Sequence, residues 1–173
     1  MSKIIVTGAS GFVGANLVKK IINKNEIYIF TRKESDTWRL NDIKSEINVQ
    51  TINFENKNKI QSVVNKIKPD YVFHLATYGG YPFQQNIEKT IESNVTNSIN
   101  LMQALTEYGK LEKFINIGSS SEYGPKTKSM KETNLAEPLL PYGITKLTQT
   151  YFAKYFFVKF GLPSVTLRLF SVY

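Results

Sequence analysis

The chain has 173 residues, enough for one domain with a full hydrophobic core, and its lack of cysteine and single histidine (His74) exclude thiol catalysis, disulfides and iron–sulfur clusters and leave no metal ligand set. The net charge of +8 comes from 22 Lys and Arg against 14 Asp and Glu; 19 of those 22 are lysines scattered along the chain, which reads as a solvated face with no nucleic-acid partner. No apolar run reaches the ~18 residues of a membrane span, and Met-Ser-Lys before a short apolar segment is no signal peptide, so a cytoplasmic protein with no membrane partner is expected.

In chain order, Lys3–Thr7 (KIIVT) predicts a buried strand, Gly8–Gly14 a glycine-rich turn, and Ala15–Asn23 a helix with apolar residues at Leu17, Val18, Ile21 and Ile22. Glu26–Phe30 and Asn48–Asn53 predict the second and third strands. Lys57–Ile67 predicts a helix, Tyr71–Leu75 a fourth strand, and Ile87–Tyr108 a long helix closed near Gly109. Lys113–Ile117 predicts a fifth strand, Tyr142–Phe160 a helix stopped by Gly161 and Pro163, and Ser164–Phe170 a sixth strand. Strands alternating with helices, most of them apolar runs without polar alternation, indicate the α/β class. The expected architecture is a Rossmann-type doubly wound parallel sheet of six strands in the order 3-2-1-4-5-6 spanning residues 1–173. Ligands should then gather at the C-terminal strand ends near the switch point, and each motif below falls at such an end.

Gly8, Gly11 and Gly14 form G-x-x-G-x-x-G between the first strand and the first helix. Residues without Cβ let the backbone approach a pyrophosphate, and the N–H groups of the helix start bind the anion, so the whole turn including Ser10, Phe12 and Val13 is a dinucleotide candidate. The second strand ends Phe30-Thr31-Arg32-Lys33, without the acid that would hold the ribose 2′-hydroxyl of NAD. Arg32 and Arg39, beside Ser35, suit the 2′-phosphate of NADP(H), the expected cofactor; Glu34 and Asp36 keep NAD(H) open.

Tyr142-Gly-Ile-Thr-Lys146 places a phenol and an ammonium four residues apart, on one helix face. A cation about 5 Å from the phenol would bring its pKa from about 10 to about 8, within reach of general acid–base work. A second pair with this spacing, Tyr155 and Lys159, lies in the apolar segment YFFVKF, where Tyr155 reads as core packing. His74, at the end of the fourth strand, reads as structural.

Thr7–Gly14 (TGASGFVG) resembles the T-G-A-x-G-F-x-G turn of the extended short-chain dehydrogenases/reductases, of the nucleotide-sugar epimerase, dehydratase and ketoreductase type, and the likeness runs through all 173 residues. That resemblance implies Asn53 and Phe54 beside the adenine, Leu75, Ala76 and Thr77 along the nicotinamide ribose, and Lys146 bound to that ribose. Asn94, in SNVTNSINL, matches the family's N-V-x-G-T-x-N-L and is taken as a cofactor contact, with Asn97 in place of a small residue. Aligning GSSSEYG on the family's I-S-S-x-x-V-Y-G places the catalytic hydroxyl on Ser119, joined by Tyr142 and Lys146, with Ser120 and Tyr81 as substrate contacts.

The resemblance also implies a nucleotide-sugar substrate altered at C4. Sugar 4,6-dehydratases carry an acid and a base directly after the catalytic hydroxyl; here Ser120 and Ser121 stand there and Glu122 is one residue out of register, which argues against elimination. GSSSEYG, HLATYGG and Arg32 together look most like NADP-dependent 4-ketoreductases. A 4-epimerase using NAD is the alternative, and a non-catalytic NADP-binding module, which would have lost Tyr142 or Lys146, is the alternative of another class. Family members pair through helices matching about 87–108 and 142–160, so a homodimer is expected. The family pattern continues past LRLFSVY for roughly 130 residues that supply a small substrate domain, so the chain reads as the cofactor-binding portion, expected to bind NADP without turning over a nucleotide sugar and to self-associate at its sixth strand.

Overall fold

In a computed structural model describing residues 1–173, strand β1 (Ser2–Thr7) leads into helix α1 (Phe12–Ile21), then β2 (Asn25–Thr31) and β3 (Ile47–Thr51). Helix α2 (Lys57–Ile67) and strand β4 (Tyr71–His74) follow. Helix α3 (Ile87–Ile91), a π-helical turn (Glu92–Thr96) and helix α4 (Asn97–Tyr108) then form one continuous rod. Strand β5 (Lys113–Ser119), a 3-10 turn (Ser120–Tyr123), helix α5 (Pro141–Phe160) and strand β6 (Ser164–Leu169) complete the order.

All six strands pair in parallel in the order β3-β2-β1-β4-β5-β6, as the alternation of elements predicts. Successive residues of β1 face opposite ways: Ile5 packs under α2, α4 and α5, while Ile4 and Val6 pack under α1. Two cores result, one on each face of the sheet. On the first, Ile60, Val63, Val64 and Ile67 of α2 meet Leu101, Met102 and Leu105 of α4. On the second, Ala15 and Val18 of α1 meet Ile27, Ile29 and Leu40. The switch point falls between β1 and β4, where Thr7 lies opposite His74. That pairing brings the glycine turn, the loop after β4 and the end of β5 to one edge of the sheet.

Three expectations change. The second face is also covered by a 3-10 segment, Trp38–Glu46, where no element was expected; it holds Leu40 in the core. The long helix keeps its bounds but contains the π turn, which winds Asn94 inward. The segment YFFVKF is not core: Phe156 is buried, but Tyr155, Phe157, Val158 and Phe160 are exposed. The apolar side chains of helix α5 are spread around its axis, and the stripe it buries runs through Gly143, Thr145, Lys146, Gln149, Ala153 and Phe156. Tyr155 packs edge-on against Phe156 and Phe160 at the surface. Strand β6 is an edge with Val165 and Leu167 exposed. No helix is long and apolar enough to cross a membrane.

Candidate active site

A cleft of about 480 Å³ opens along the C-terminal strand ends. The glycine turn forms one wall. Gly8 has φ +70°, and a Cβ there would lie 2.6 Å from the Ala76 nitrogen; a Cβ on Gly14 would lie 2.3 Å from the Gly8 carbonyl oxygen. The turn can therefore exist only where β4 and α1 crowd against bare backbone. No side chain caps α1 and no acid stands in its first turn, so the N–H groups of the helix start are left to bind an anion. Ser10, Gly11, Phe12 and Val13 line the same wall, with Phe54, Leu75, Ala76 and Thr77 opposite. Arg32 and Ser35 line the far end. Arg39 stacks on Trp38 at 4.3 Å and reaches the Ser10 carbonyl at 3.4 Å, while the Asp36 carboxylate accepts from the Trp38 N–H. Asn97, on the wall beside them, has an Oδ1 buried without a partner, an acceptor a bound ligand could satisfy. These groups fit a dinucleotide.

The other end of the cleft carries Ser119, Tyr142, Thr77 and Tyr81. Ser119 closes β5, and its Oγ accepts from the Ser121 N–H at 3.1 Å. Tyr142 stands in the first turn of α5, begun by Pro141, whose fixed φ suits that position. Burial raises the phenol's pKa above its usual value, against the neighbouring Ser119 and Thr77 hydroxyls, which lower it; the Glu122 charge adds to the rise. The expectation that Lys146 depresses the phenol is thus corrected. The Lys146 ammonium does not reach toward the cleft: it is buried and donates to Gln149 Oε1 one helical turn on. Burial lowers its pKa to about 8, with the Glu122 charge opposing.

Behind the cleft runs a buried polar chain. Gln149 donates to Ser98 Oγ at 3.0 Å, and Ser98 donates to the Asn94 carbonyl at 2.8 Å. Ser98 has then spent its proton, so His74 Nε2 must donate to it (2.8 Å), leaving Nδ1 to accept from the Thr7 hydroxyl at 2.7 Å. Thr7 in turn accepts from the Ala76 N–H at 3.1 Å. Burial, then the Lys146 charge, pushes the His74 pKa down to about 3, consistent with this neutral tautomer. The structural reading of His74 therefore extends to a link between the lysine and the glycine turn.

Several anticipated contacts lie off the cleft wall. Asn94 is fully buried behind it, accepting from the Thr77 hydroxyl and the Tyr78 N–H and donating to the Tyr78 carbonyl and Thr145 Oγ1. It holds the loop that presents Thr77. Asn53 is exposed and turned back to accept from the Glu55 N–H, and Ser120 stands aside in the 3-10 turn. Sequence reasoning missed Gln149, Ser98 and the partners of Glu122, although Lys146-x-x-Gln149 and Ser119-x-x-Glu122 carry i, i+3 spacings that could have flagged the first and third. The Glu122 carboxylate is fully buried, away from the cleft, where it accepts from Arg168 Nε at 2.7 Å. It is not placed to assist elimination.

A doubly wound parallel sheet, a glycine turn at its switch point, and a serine and tyrosine hydroxyl facing that turn define a dinucleotide-binding protein of the short-chain dehydrogenase/reductase type. The model of the NAD dependent epimerase/dehydratase family matches residues 4–173, and the chain belongs to that family. It is 28% identical over 180 residues to an uncharacterized UDP-glucose epimerase of Bacillus subtilis, covering 99% of this chain and 57% of that protein. The UDP-glucuronic acid 4-epimerase of Bacillus cereus, solved in complex with NAD, superposes with a TM-score of 0.87 at 28% identity, covering 99% of this chain and 57% of its own. The UDP-N-acetylglucosamine 4-epimerase of Methanobrevibacter ruminantium, solved with UDP-N-acetylmuramic acid, superposes with a TM-score of 0.89 at 26% identity, covering 99% and 56%. The chain thus spans a little over half the length of these relatives.

Proposed function

We propose that this chain carries the cofactor site and reacting side chains of a nucleotide-sugar 4-epimerase that uses NAD. The observation that carries the reading is the meeting of Ser119, Thr77 and Tyr142 hydroxyls at the end of a dinucleotide cleft, with the one nearby carboxylate, Glu122, sequestered by Arg168. Among C4 reactions the sequence motifs point first to 4-ketoreduction; the NAD complex of the Bacillus cereus 4-epimerase favours the alternative. Arg32 and Ser35 still offer a 2′-phosphate contact, so NADP is the competitor in the binding test.

The chemistry that NAD supplies when bound is removal of the hydride from sugar C4 and its return to the opposite face, with no net redox change. Tyr142 takes the O4 proton and gives it back. Its raised pKa means that the free site holds the protonated phenol, so removal of the O4 proton requires positive charge near the phenol in the working complex. The Ser119 and Thr77 hydroxyls line the cleft beside the phenol, where they can contact the sugar O4. The glycine turn and α1 start bind the pyrophosphate, with Phe54 and Leu75 as apolar lining beside them.

Incubating the protein, supplied with the family's substrate domain where the 173 residues alone show no turnover, with NAD and UDP-hexoses, and following C4 configuration by proton NMR, tests this. Interconversion of the two C4 epimers without net NADH is expected. Net oxidation of NADPH against a 4-keto sugar, with no epimer formed, would replace this reading with 4-ketoreduction. Binding of the cofactor in Tyr142→Phe without any chemistry in the wild type would leave only a binding module.

A further inference from the structure

We propose that Glu122 is a positioning residue whose single carboxylate ties the end of β5, and so Ser119, to the helix that carries Tyr142 and Lys146. The inference rests on the reading of those three side chains as the reacting set. Glu122 Oε1 accepts from the Ser119 N–H at 2.8 Å. Its Oε2 accepts from Thr150 Oγ1 on α5 at 3.0 Å and from Arg168 Nε on β6 at 2.7 Å. The Arg168 guanidinium also donates to the Tyr123 hydroxyl at 3.0 Å and lies over that ring at 4.6 Å. Every partner of the carboxylate is a donor, which suits an acceptor-only side chain. Three separate elements therefore converge on one fully buried group.

The backbone is shaped to admit it. Ser119 and Glu122 form a reciprocal capping box over the 3-10 turn, the Ser119 hydroxyl accepting from the turn while Glu122 accepts from the Ser119 backbone. A Cβ on Gly118 would lie 2.4 Å from Glu122 Oε1, so the strand must be bare at that position for the carboxylate to fold beneath it. One residue earlier in the chain, a carboxylate would not close this box. The one-residue displacement of Glu122 therefore converts a group that could serve the cleft into one that holds the cleft's serine in place.

The charge also acts on the buried side of the site. The titratable groups bearing on Lys146 are Glu122 on the 3-10 turn and His74 on β4; of the two, Glu122 favours the ammonium against burial. A merely structural carboxylate would stabilise the fold without setting the protonation of Lys146.

Lysine 13Cε NMR on the folded protein, with Lys146 assigned through Lys146→Met, tests the charge. Glu122→Gln should lower the Lys146 titration midpoint by about one pH unit, whereas Thr150→Val, which keeps the carboxylate, should leave it unmoved. Thr150→Val cuts the tether to α5, and in C4 inversion of UDP-hexoses it should lower kcat several-fold at unchanged KM. An unmoved Lys146 midpoint in Glu122→Gln, with only the melting temperature reduced, would overturn the proposal. Should Glu122→Gln not fold, an unchanged kcat in Thr150→Val would overturn it equally. If the wild type inverts no nucleotide sugar, the functional reading fails by itself, while the Lys146 midpoint still decides the role of Glu122.

Discussion

The two ends of the cleft are built by opposite means. At the β1–β2 end the site is made largely of backbone: the turn is bare at Gly8 and Gly14, and the start of α1 is uncapped, over a hydrophobic cluster of β1, β2 and α1. At the β4–β6 end it is made of side chains buried in polar company, with Lys146, Gln149, Ser98, His74 and Glu122 all out of solvent. An anion can be held by main-chain donors whose charge never changes. Proton transfer needs groups whose protonation is tuned, and tuning requires burial among specific partners. The first end should be sensitive to shape and indifferent to pH, and the second the reverse.

The sharpest contrast comes from one substitution at each end. Tyr142→Phe removes the proton carrier and should cut turnover by about 10²–10⁴-fold while cofactor affinity, measured calorimetrically, stays within two- to threefold. Gly8→Ala should do the opposite. A Cβ at φ +70° and 2.6 Å from the Ala76 nitrogen forces the turn apart, so cofactor binding should be lost together with about 2 kcal/mol or more of stability in urea titration. Binding retained in Gly8→Ala would show that the backbone cradle is not the anion site.

Arg168→Met probes the buried pairing next. Removing the guanidinium leaves the Glu122 carboxylate without its counter-charge, and because Arg168 is itself partly exposed the loss should be about 3 kcal/mol, at the lower end for a broken buried pair. A change below about 1 kcal/mol would mean that the end of β5 reorganises around a protonated Glu122.

The pH dependence should separate the two ends further. His74 has a folded pKa of about 3, below its unfolded value of about 6.5, so between these values the unfolded chain binds the extra proton and stability falls as pH falls. Replacing His74 with Gln should flatten that slope of unfolding free energy against pH. Lys146, lowered to about 8 from an unfolded value near 10.5, behaves in the same sense at alkaline pH: its cost is full below about 8 and is relieved as pH rises toward about 10.5. The smallest effect belongs to the surface of the glycine-turn end. Lys19 meets Asp42 at 2.8 Å with both side chains solvated, and Lys19→Ala should leave the melting temperature unchanged within error.

The same division separates the features that are legible in the sequence from those that are not. The glycine turn and the Tyr142–Lys146 spacing are local patterns, set by which residues tolerate positive φ and by how far one helical turn reaches, and the strand order follows from the alternation of strands and helices through the handedness of their crossovers; all reappear where expected. Asn94 falls in the expected neighbourhood but plays a different part. The π turn winds it behind the cleft, and no propensity argument anticipates that register change. Tyr155 lies at the surface against expectation because α5 spreads its apolar residues around the axis and buries polar ones, Thr145, Lys146 and Gln149, so periodicity does not mark its buried stripe.

By itself, then, the sequence indicated the alternation of strands and helices and the glycine turn, which local patterns carry, while the resemblance to the extended short-chain family singled out the serine, tyrosine and lysine. Only the tertiary structure decided that Lys146 faces Gln149, that the Tyr142 phenol is raised and not lowered, and that Glu122 is bound to Arg168 beneath Ser119. The i, i+3 spacings bring Lys146 within reach of Gln149 and Ser119 within reach of Glu122, but the burial that tunes these groups and the pairing of Glu122 with Arg168, 46 residues away in the chain, are properties of packing that no local pattern contains.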